Sequence, residues 1–347
     1  MAIIGSQPIG GNTSLIREVN RNLVRHALKA QGTATKKQLS EATGLSLVTV
    51  GTVLQELISS GEVRETEPVS SNGGRPALKY AYNERHALVL ILFPVERGGR
   101  LFIHRAVADL AGERLEEAEI PADIVELALF QRLIDESMAA YRQIRAIGIG
   151  LPGAEYEGEL IVSDYENLKD KAILEHLGSR YRLPVVIEND VNAAAVGFWL
   201  ARPSHPDTTG VYLYFPDRFP PGAGIFIDGK LYRGKRGFAG EVANIPLGIP
   251  WGDTALAASE ERLCEALAKL AISVISVLNP DSVVLCGSFI TADHIQTVKA
   301  LCADRLPKAV LPEIVLSDTF EEDYARGMVV QTLSKLEPDL LLTRLER

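Results

Sequence analysis

The sequence predicts an α/β protein in which a small, mainly helical N-terminal domain precedes a larger domain of strands and helices. Apolar residues recur with a helical period between residues 14 and 61, whereas short apolar runs alternate with helix-like stretches from about residue 85 onwards. A chain of 347 residues is long enough for several domains, each with its own core. We expect the domains to span residues 12–83 and 84–347.

The composition is that of an ordinary globular protein, with 46% hydrophobic and 23% charged residues. No apolar stretch approaches the roughly 20 residues of a membrane span, and the first residues lack the pattern of a secretory signal. The three cysteines are widely spaced and form no C-x-x-C pair, which favours a reducing compartment. We therefore expect a cytoplasmic protein that has no contact with a membrane.

Charge is unevenly distributed along the chain. The net charge is −9, yet residues 1–85 contain about 10 Lys and Arg against 7 Asp and Glu, so this segment is near +3 and the remainder near −12. A mildly basic N-terminal domain on an acidic body permits the N-terminal domain alone to bind DNA.

The N-terminal domain has the pattern of a helix-turn-helix. A helical apolar stripe lies between Ser14 and Lys29. Thr35 and Ser46 are suitable N-caps for two further helices, Gly44 supplies the turn between them, and Gly61 ends the last helix. In proteins of this layout the second helix of the motif enters the major groove of DNA.

The outward face of this recognition helix is rich in hydroxyl and amide groups. Such groups can bond to base edges or phosphates, and an exposed valine can contact a thymine methyl. After Gly61 two short strands surround a Ser/Asn/Gly tip, which predicts a wing whose arginine can reach a narrow minor groove. The alternative is a three-helix protein-interaction module with a solvated hairpin. The predicted DNA-binding residues are Lys36, Ser46, Val48, Thr49, Thr52, Gln55 and Arg75.

In the larger domain, polar residues follow a buried strand at Glu188, Asn189 and Asp190. Ligands of α/β proteins bind at the carboxyl ends of strands, so these residues predict a site. Asp190 is either a ligand or catalytic group or the N-cap of a helix beginning at Val191, and the residues alone leave both open.

Four sequence blocks of this domain, IGIGLPG, IENDVNAAAVG, GAGIFIDGKLYRGKRGFAGEVANIPLG and LNPDSVVLCG, resemble those of the ROK family, which comprises repressors, open reading frames and kinases. The resemblance runs from about Ser14 to Met328, and the family's repressor branch also carries a winged helix-turn-helix. It implies a two-lobed, actin-like (ribonuclease H-like) sugar-kinase fold. Kinase members bind a hexose and ATP between the lobes, and repressors respond to sugars or related metabolites.

The stretches that match the family's nucleotide contacts depart from the kinase pattern. Residues 93–96 replace an aspartate and a small polar turn, while Gly98 and Gly99 are typical of a hairpin turn. Phe289 stands beside a lost glycine. Three prolines remove amide donors from the second phosphate loop, at Pro216, Pro220 and Pro221. We expect no ATP, no cofactor and no enzymatic activity, with Asp190 in a vestigial base position; the alternative is a working ATP-dependent sugar kinase with a fused DNA-binding domain.

The resemblance also supplies the expected sugar contacts. Glu241 matches a sugar-binding glutamate, but the family's zinc-binding histidine is Asn244 here and its cysteine cluster is absent, so we expect no metal. Trp251 is either a stacking wall for a sugar or a packing residue, and packing is favoured. The predicted ligand-binding residues are Gly153, Asn167, Asn189, Asp190 and Glu241.

Together these features predict a transcriptional regulator, most simply a repressor of carbohydrate-related genes. One recognition helix contacts few bases, so we expect a homodimer or higher oligomer on double-stranded operator DNA. The larger domain would sense a carbohydrate-like effector or serve only as a dimerisation platform.

Overall fold

The computed structural model describes residues 12–71, 74–156, 159–163, 165, 168, 173–202, 208–217 and 219–336. They fall into two compact units: the first contains the described residues up to Ala87, and the second spans Leu88–Leu336. The predicted α/β class is confirmed. Among the described residues no single helix has both the length and the apolar character to cross a membrane, although two short helices bent by 112° pass that test as a pair.

The described residues of the first unit form three α-helices and a three-stranded antiparallel sheet in the order β1-β3-β2. A core of aliphatic side chains from all three helices joins them, including Leu28, Leu39, Val50 and Leu54. Strand β1 is an addition to the predicted elements. The elements are α1 (Asn12–Gln31), β1 (Thr33–Thr35), α2 (Lys36–Thr43), α3 (Leu47–Ser59), β2 (Val63–Ser71) and β3 (Gly74–Tyr82).

Local hydrogen bonds set the ends of α2 and α3 as predicted. Thr35 begins α2 through a capping box in which its hydroxyl accepts from the Gln38 N–H and the Gln38 side chain accepts from the Thr35 N–H. Gly44 ends α2 in the left-handed region with φ 72°. Ser46 then accepts from the Thr49 N–H and begins α3.

In the second unit the described residues form two five-stranded sheets, in the orders β10-β7-β4-β5-β6 and β13-β12-β11-β14-β15, and a separate hairpin of β8 and β9. Its elements are β4 (Leu88–Arg97), β5 (Arg100–Asp109), β6 (Arg114–Ala122), α4 (Leu127–Ala140), β7 (Ile144–Gly150), β8 (Gly153–Tyr156), β9 (Glu159–Ser163), α5 (Ile173–Tyr181), β10 (Val185–Glu188), α6 (Asp190–Leu200), β11 (Gly210–Tyr214), β12 (Gly222–Ile227), β13 (Lys230–Leu231), α7 (Thr254–Ala257), α8 (Glu260–Leu278), β14 (Ser282–Cys286), α9 (Ala292–Arg305), β15 (Glu313–Ser317) and α10 (Phe320–Leu333).

Helices α6 and α10 share one apolar core with both sheets, which gives the two-lobed architecture. The two helices approach closely because each presents a glycine to the other's backbone. A Cβ on Gly197 would lie 1.8 Å from the Asp323 carbonyl oxygen, and one on Gly327 would lie 1.8 Å from that of Ala193. A second core joins α8 and α9 to the second sheet, and a third joins α4 and α5 to the first.

Strands β4 and β5 form a continuous hairpin paired along its whole length. Gly98 and Gly99, with φ of 56° and 73°, make the two-residue turn, which confirms their predicted role. Pairing of β4 with β7 ends at Leu92, so Pro94 lies where β4 has β5 alone as a neighbour and a missing N–H is tolerated.

Candidate functional site

The outward face of α3 carries the residues predicted to contact DNA. Val48 is 77% exposed, and Thr52 and Gln55 are also exposed. The opposite face, with Val50 and Leu54, is buried in the core of the first unit. The helix therefore presents polar groups beside the exposed Val48 and Leu47, and such a surface suits a helix placed in a major groove.

Three of the predicted hydroxyl contacts have partners within the helix. The Ser46 Oγ accepts from the Thr49 N–H at 3.1 Å and lies 2.9 Å from the Thr49 Oγ1. The Thr52 hydroxyl donates to the Val48 carbonyl oxygen at 3.2 Å. A hydroxyl oxygen has two lone pairs, so each of these groups keeps acceptor capacity for a second partner.

Lys36 lies against the recognition helix. Its side chain is half-buried, and its Nζ occupies the space beside Gly51, where a Cβ would lie only 2.2 Å away. Gly51 thus makes room for an ammonium group next to the outward face of α3. Arg75 belongs to β3, but its side chain lies outside the described part of the structure, so its predicted minor-groove contact stays a prediction.

The arginines of α1 stabilise the first unit. Arg17 pairs with Glu56 at 2.8 Å, while Arg21 and Arg25 pair with Glu62 at 2.9 and 2.6 Å. Burial raises the pKa of Glu62, but hydrogen bonds from Arg25 and Ser60 and the charges of Arg25 and Arg21 outweigh this effect and leave the pKa below its usual value. These cations are engaged internally, so the basic count of the first 85 residues overstates the charge available to DNA.

In the second unit a small pocket lies where the N-terminal end of α6 meets β8, β12 and residues 237–241. Three of the predicted ligand residues line it, namely Gly153, Asn189 and Glu241, and so do Asn192, Gly222 and Gly240. Asp190 does not line it, and Asn167 lies outside the described residues. The structure therefore brings together three of the five predicted residues.

Asn189 holds one corner of this pocket. Its Oδ1 accepts from the Asn192 N–H at 2.9 Å and caps α6, and its Nδ2 donates to the Gly153 carbonyl oxygen at 2.9 Å. The alternative in which Asp190 caps a helix beginning at Val191 is wrong, since α6 begins at Asp190 and Asn189 is its N-cap. Asn189 is the better cap because its extended backbone aims the side chain at the first free N–H groups.

Asp190 instead bonds to its own helix, since its Oδ1 accepts from the Val191 N–H at 2.9 Å. Burial raises the pKa of Tyr214 and of Tyr324, and the negative charge of Asp190 adds to both shifts. Tyr214 stacks on Phe320 with 3.6 Å between ring centroids, and Phe93 lies 4.1 Å from Tyr324. Both phenols stay protonated at neutral pH, and their ring contacts make this region aromatic.

Glu188, which the sequence placed at the strand end, is the centre of a polar cluster whose other members the sequence did not predict. Only 5% of Glu188 is exposed; its carboxylate forms a salt bridge with Arg233 and accepts from the Gln331 Nε2 at 2.6 Å and the Asn192 Nδ2 at 3.3 Å. A buried carboxylate needs such partners. The cluster connects the end of β10 to α10 and to the segment after β13.

Two glycines shape the pocket wall. Gly153 and Gly240 have φ of 112° and 102°, a region that disfavours side chains. A Cβ on Gly240 would lie 2.0 Å from the Ala223 carbonyl oxygen, while the Ala223 N–H donates to the Gly240 carbonyl oxygen at 2.8 Å. The close approach of β12 to this segment therefore requires glycine at position 240.

Trp251 packs against the core of the second sheet. It is partly buried and lies 5.8 Å from Phe215 between ring centroids. It does not line the pocket, so the packing interpretation is preferred over a stacking wall. No three His, Cys, Asp or Glu side chains of the described residues are grouped as metal ligands would be.

Fold and pocket together define a protein with a winged helix-turn-helix unit and a two-lobed unit of sugar-kinase type. The model of the ROK family matches residues 95–253, and the chain belongs to this family. It is 30% identical over 250 residues to the xylose repressor of Caldicellulosiruptor bescii, a match that covers 67% of this chain and 60% of that protein.

Solved structures share the fold. A ROK family transcriptional regulator, described as a homologue of the Escherichia coli MLC protein, superposes with a TM-score of 0.67 at 19% identity, over 92% of this chain and 97% of that one. The ROK hexokinase from Thermus thermophilus superposes with a TM-score of 0.58 at 18% identity, over 72% of this chain and 99% of that one. At such identities the likeness concerns the fold alone.

Proposed function

We propose that this chain is a DNA-binding transcriptional regulator, acting as a repressor of carbohydrate-related genes in the cytoplasm. The observation that carries the proposal is the outward face of α3, which displays Val48, Thr52 and Gln55. The N-caps of α2 and α3 and the turn between these helices follow the helix-turn-helix pattern. The similarity to a xylose repressor supports the same function. The remaining predicted contacts, Lys36, Ser46, Thr49 and Arg75, belong to this proposal.

DNA binding is tested by fluorescence anisotropy at several salt concentrations, with the DNA upstream of the gene that encodes this chain. We expect Thr52→Ala to weaken operator binding about tenfold, corresponding to one lost base contact. Thr297→Ala is the matched control, because its exposed hydroxyl on α9 also donates to the carbonyl oxygen four residues earlier. Equal affinities of the two variants for the operator would contradict the assignment of α3.

The second unit, in this proposal, binds a sugar effector and does not phosphorylate it. Phosphoryl transfer requires backbone amides around the triphosphate and a carboxylate that takes the hydroxyl proton. Here β4 continues through Phe93 and Pro94 as paired strand, and Asp190 does not line the pocket. Both features disfavour a phosphate donor.

Because a ROK hexokinase shares this fold, the kinase alternative requires a direct test. Calorimetry with ATP and Mg²⁺, followed by an assay of ADP release with D-glucose and D-xylose, decides it. We expect neither binding nor turnover. A rate on the order of 10 s⁻¹, typical of enzymes, that Asp190→Asn abolishes would establish the kinase instead.

We further propose that the regulator acts as a homodimer on a two-fold operator. A single recognition helix reads too few base pairs for useful specificity, and paired half-sites supply the rest. Light scattering of the free chain and of its operator complex tests the stoichiometry. One chain per complete operator at saturation would contradict it.

A further inference from the structure

The pocket contains a buried hydrogen-bond acceptor that has no partner among the described residues. Asn192 is 5% exposed, and no donor reaches its Oδ1. Its Nδ2 donates to Glu188, and its backbone N–H donates to the Asn189 Oδ1. A carboxylate can only accept, so the amide group must face Glu188 and the orientation of the side chain is fixed with Oδ1 on the other side.

This orphan carbonyl oxygen belongs to a residue that lines the pocket. Buried polar groups of folded proteins almost always have partners, and an unsatisfied one calls for an explanation such as a ligand. The neighbouring amide of Asn189 points elsewhere: its Nδ2 donates to the Gly153 carbonyl oxygen, and no donor of the described residues reaches the Asn192 Oδ1. A molecule in the pocket, either a water or a ligand, can supply the donor that Asn192 lacks.

The charge around the pocket indicates which molecule fits. Glu241 contributes a carboxylate to the lining, and the described residues that line the pocket include neither lysine nor arginine. Arg233, a cation of the segment after β13, is paired with Glu188. A phosphate group would be repelled by Glu241, whereas hydroxyl groups can donate to both Glu241 and Asn192.

We propose that Asn192 is a ligand-contact residue whose Oδ1 accepts a hydrogen bond from a hydroxyl of an unphosphorylated sugar. The pocket then selects neutral sugars over sugar phosphates, because its lining offers acceptors and negative charge. This inference rests on the proposed function, in which the pocket is the effector site, and it adds both a residue and a ligand class to it.

Isothermal titration calorimetry of the full chain with D-xylose, D-glucose and glucose 6-phosphate tests the ligand class. We expect at least one neutral sugar to bind, and glucose 6-phosphate to bind at least tenfold more weakly than that sugar. Asn192→Ala should weaken the neutral sugar at least tenfold. Gln331→Leu is the matched control, since it removes another donor to Glu188 without altering the pocket lining, and it should change the affinity less than threefold.

Measurements on the unmodified chain keep the test valid if Asn192→Ala does not fold. Monofluoro analogues of the bound sugar retain an atom at each hydroxyl position but cannot donate a hydrogen bond. We expect the unmodified chain to lose at least tenfold in affinity at one position. In Asn192→Ala the parent sugar and that analogue should bind equally, because the coupling between the two groups is gone.

Four results would overturn the inference. They are an unchanged affinity in Asn192→Ala, an equal loss in Gln331→Leu, tighter binding of glucose 6-phosphate, and no binding of either neutral sugar. None of them bears on operator binding, which the anisotropy experiment measures independently. If the sugar inference fails but Thr52-dependent DNA binding is observed, the proposed regulator function is still supported. If specific DNA binding is not observed, the proposed function is contradicted, while the sugar contact is not.

Discussion

The side-chain amide of Asn189 donates a hydrogen bond to the backbone carbonyl oxygen of Gly153, with 2.9 Å between Nδ2 and O. Since the Asn189 Oδ1 also caps α6, one side chain connects the start of this helix to the start of β8. The pocket is framed by that connection.

Two substitutions separate the two roles of Asn189. Asn189→Ala removes the cap and the bond to Gly153, and we expect it to lower the free energy of unfolding of the second unit by about 2 kcal/mol. Asn189→Asp keeps an equally good cap but has no donor, so about 1 kcal/mol should be lost. Both tryptophans, Trp199 and Trp251, lie in this unit, so denaturation followed by tryptophan fluorescence measures the effect. Equal losses in the two variants would show that the bond to Gly153 contributes nothing.

A glycine pair tests the close approach at the pocket wall. Gly240→Ala should cost about 3 kcal/mol, because strain at its φ of 102° adds to the clash with the Ala223 carbonyl oxygen. Gly248→Ala is the control, since its φ is 67° and a Cβ there would meet no atom within 4 Å; about 1 kcal/mol is expected. Tryptophan fluorescence in urea compares the variants, and similar midpoints would contradict the importance of the contact.

The helix-turn-helix could be predicted from the sequence because its signals are local. The oxygens of Thr35 and Ser46 cap helices that begin within one residue of each, and Gly44 ends a helix through its own backbone freedom. Such features depend on residues three or four positions apart. The helical spacing of apolar residues in α3 and the turn at Gly98 and Gly99 could be predicted for the same reason.

The pocket was less predictable because its chemistry depends on distant partners. Asn189 and Glu241 were found through the family resemblance, but the roles of Asn189 and Asp190 depend on where α6 begins. Asn192 becomes notable only because Glu188 occupies its amide group. Asn192, the second asparagine of the ENDVN stretch, is a polar residue next to the predicted site. The sequence could not show which atom of its side chain lacks a partner.

The three thiols should be unreactive in the folded chain. Cys264, Cys286 and Cys302 are all buried, and burial raises the pKa of the Cys286 thiol to about 11. We expect almost no reaction with a thiol reagent at pH 8, and three equivalents after unfolding in guanidinium chloride. Val277→Cys, which adds a thiol at an 81% exposed position on α8, should react at once with one equivalent. Rapid labelling of the unmodified native chain would contradict this burial.

Acid should destabilise the first unit through Glu62. The pKa of Glu62 is lower in the folded state than in the unfolded state, so the unfolded state binds more protons as the pH falls. The stabilisation is therefore complete above the unfolded value of about 4.3 and is lost as the pH falls through the folded pKa. Glu62→Gln should lower the free energy of unfolding by about 2 kcal/mol at pH 7 and by less at pH 3.

The same substitution at Glu56 is a matched control, because its partner Arg17 is 65% exposed and such a pair contributes about 0.5 kcal/mol. Far-UV circular dichroism in urea follows both units, whereas tryptophan fluorescence reports on the second alone, so the difference isolates the first. Protonation of Glu62 in the unmodified chain mimics Glu62→Gln. The difference in free energy of unfolding between the unmodified chain and Glu62→Gln must therefore become smaller as the pH falls. If this difference in free energy of unfolding stays constant from pH 7 to pH 3, the charge of Glu62 is not what joins α1 to the start of β2.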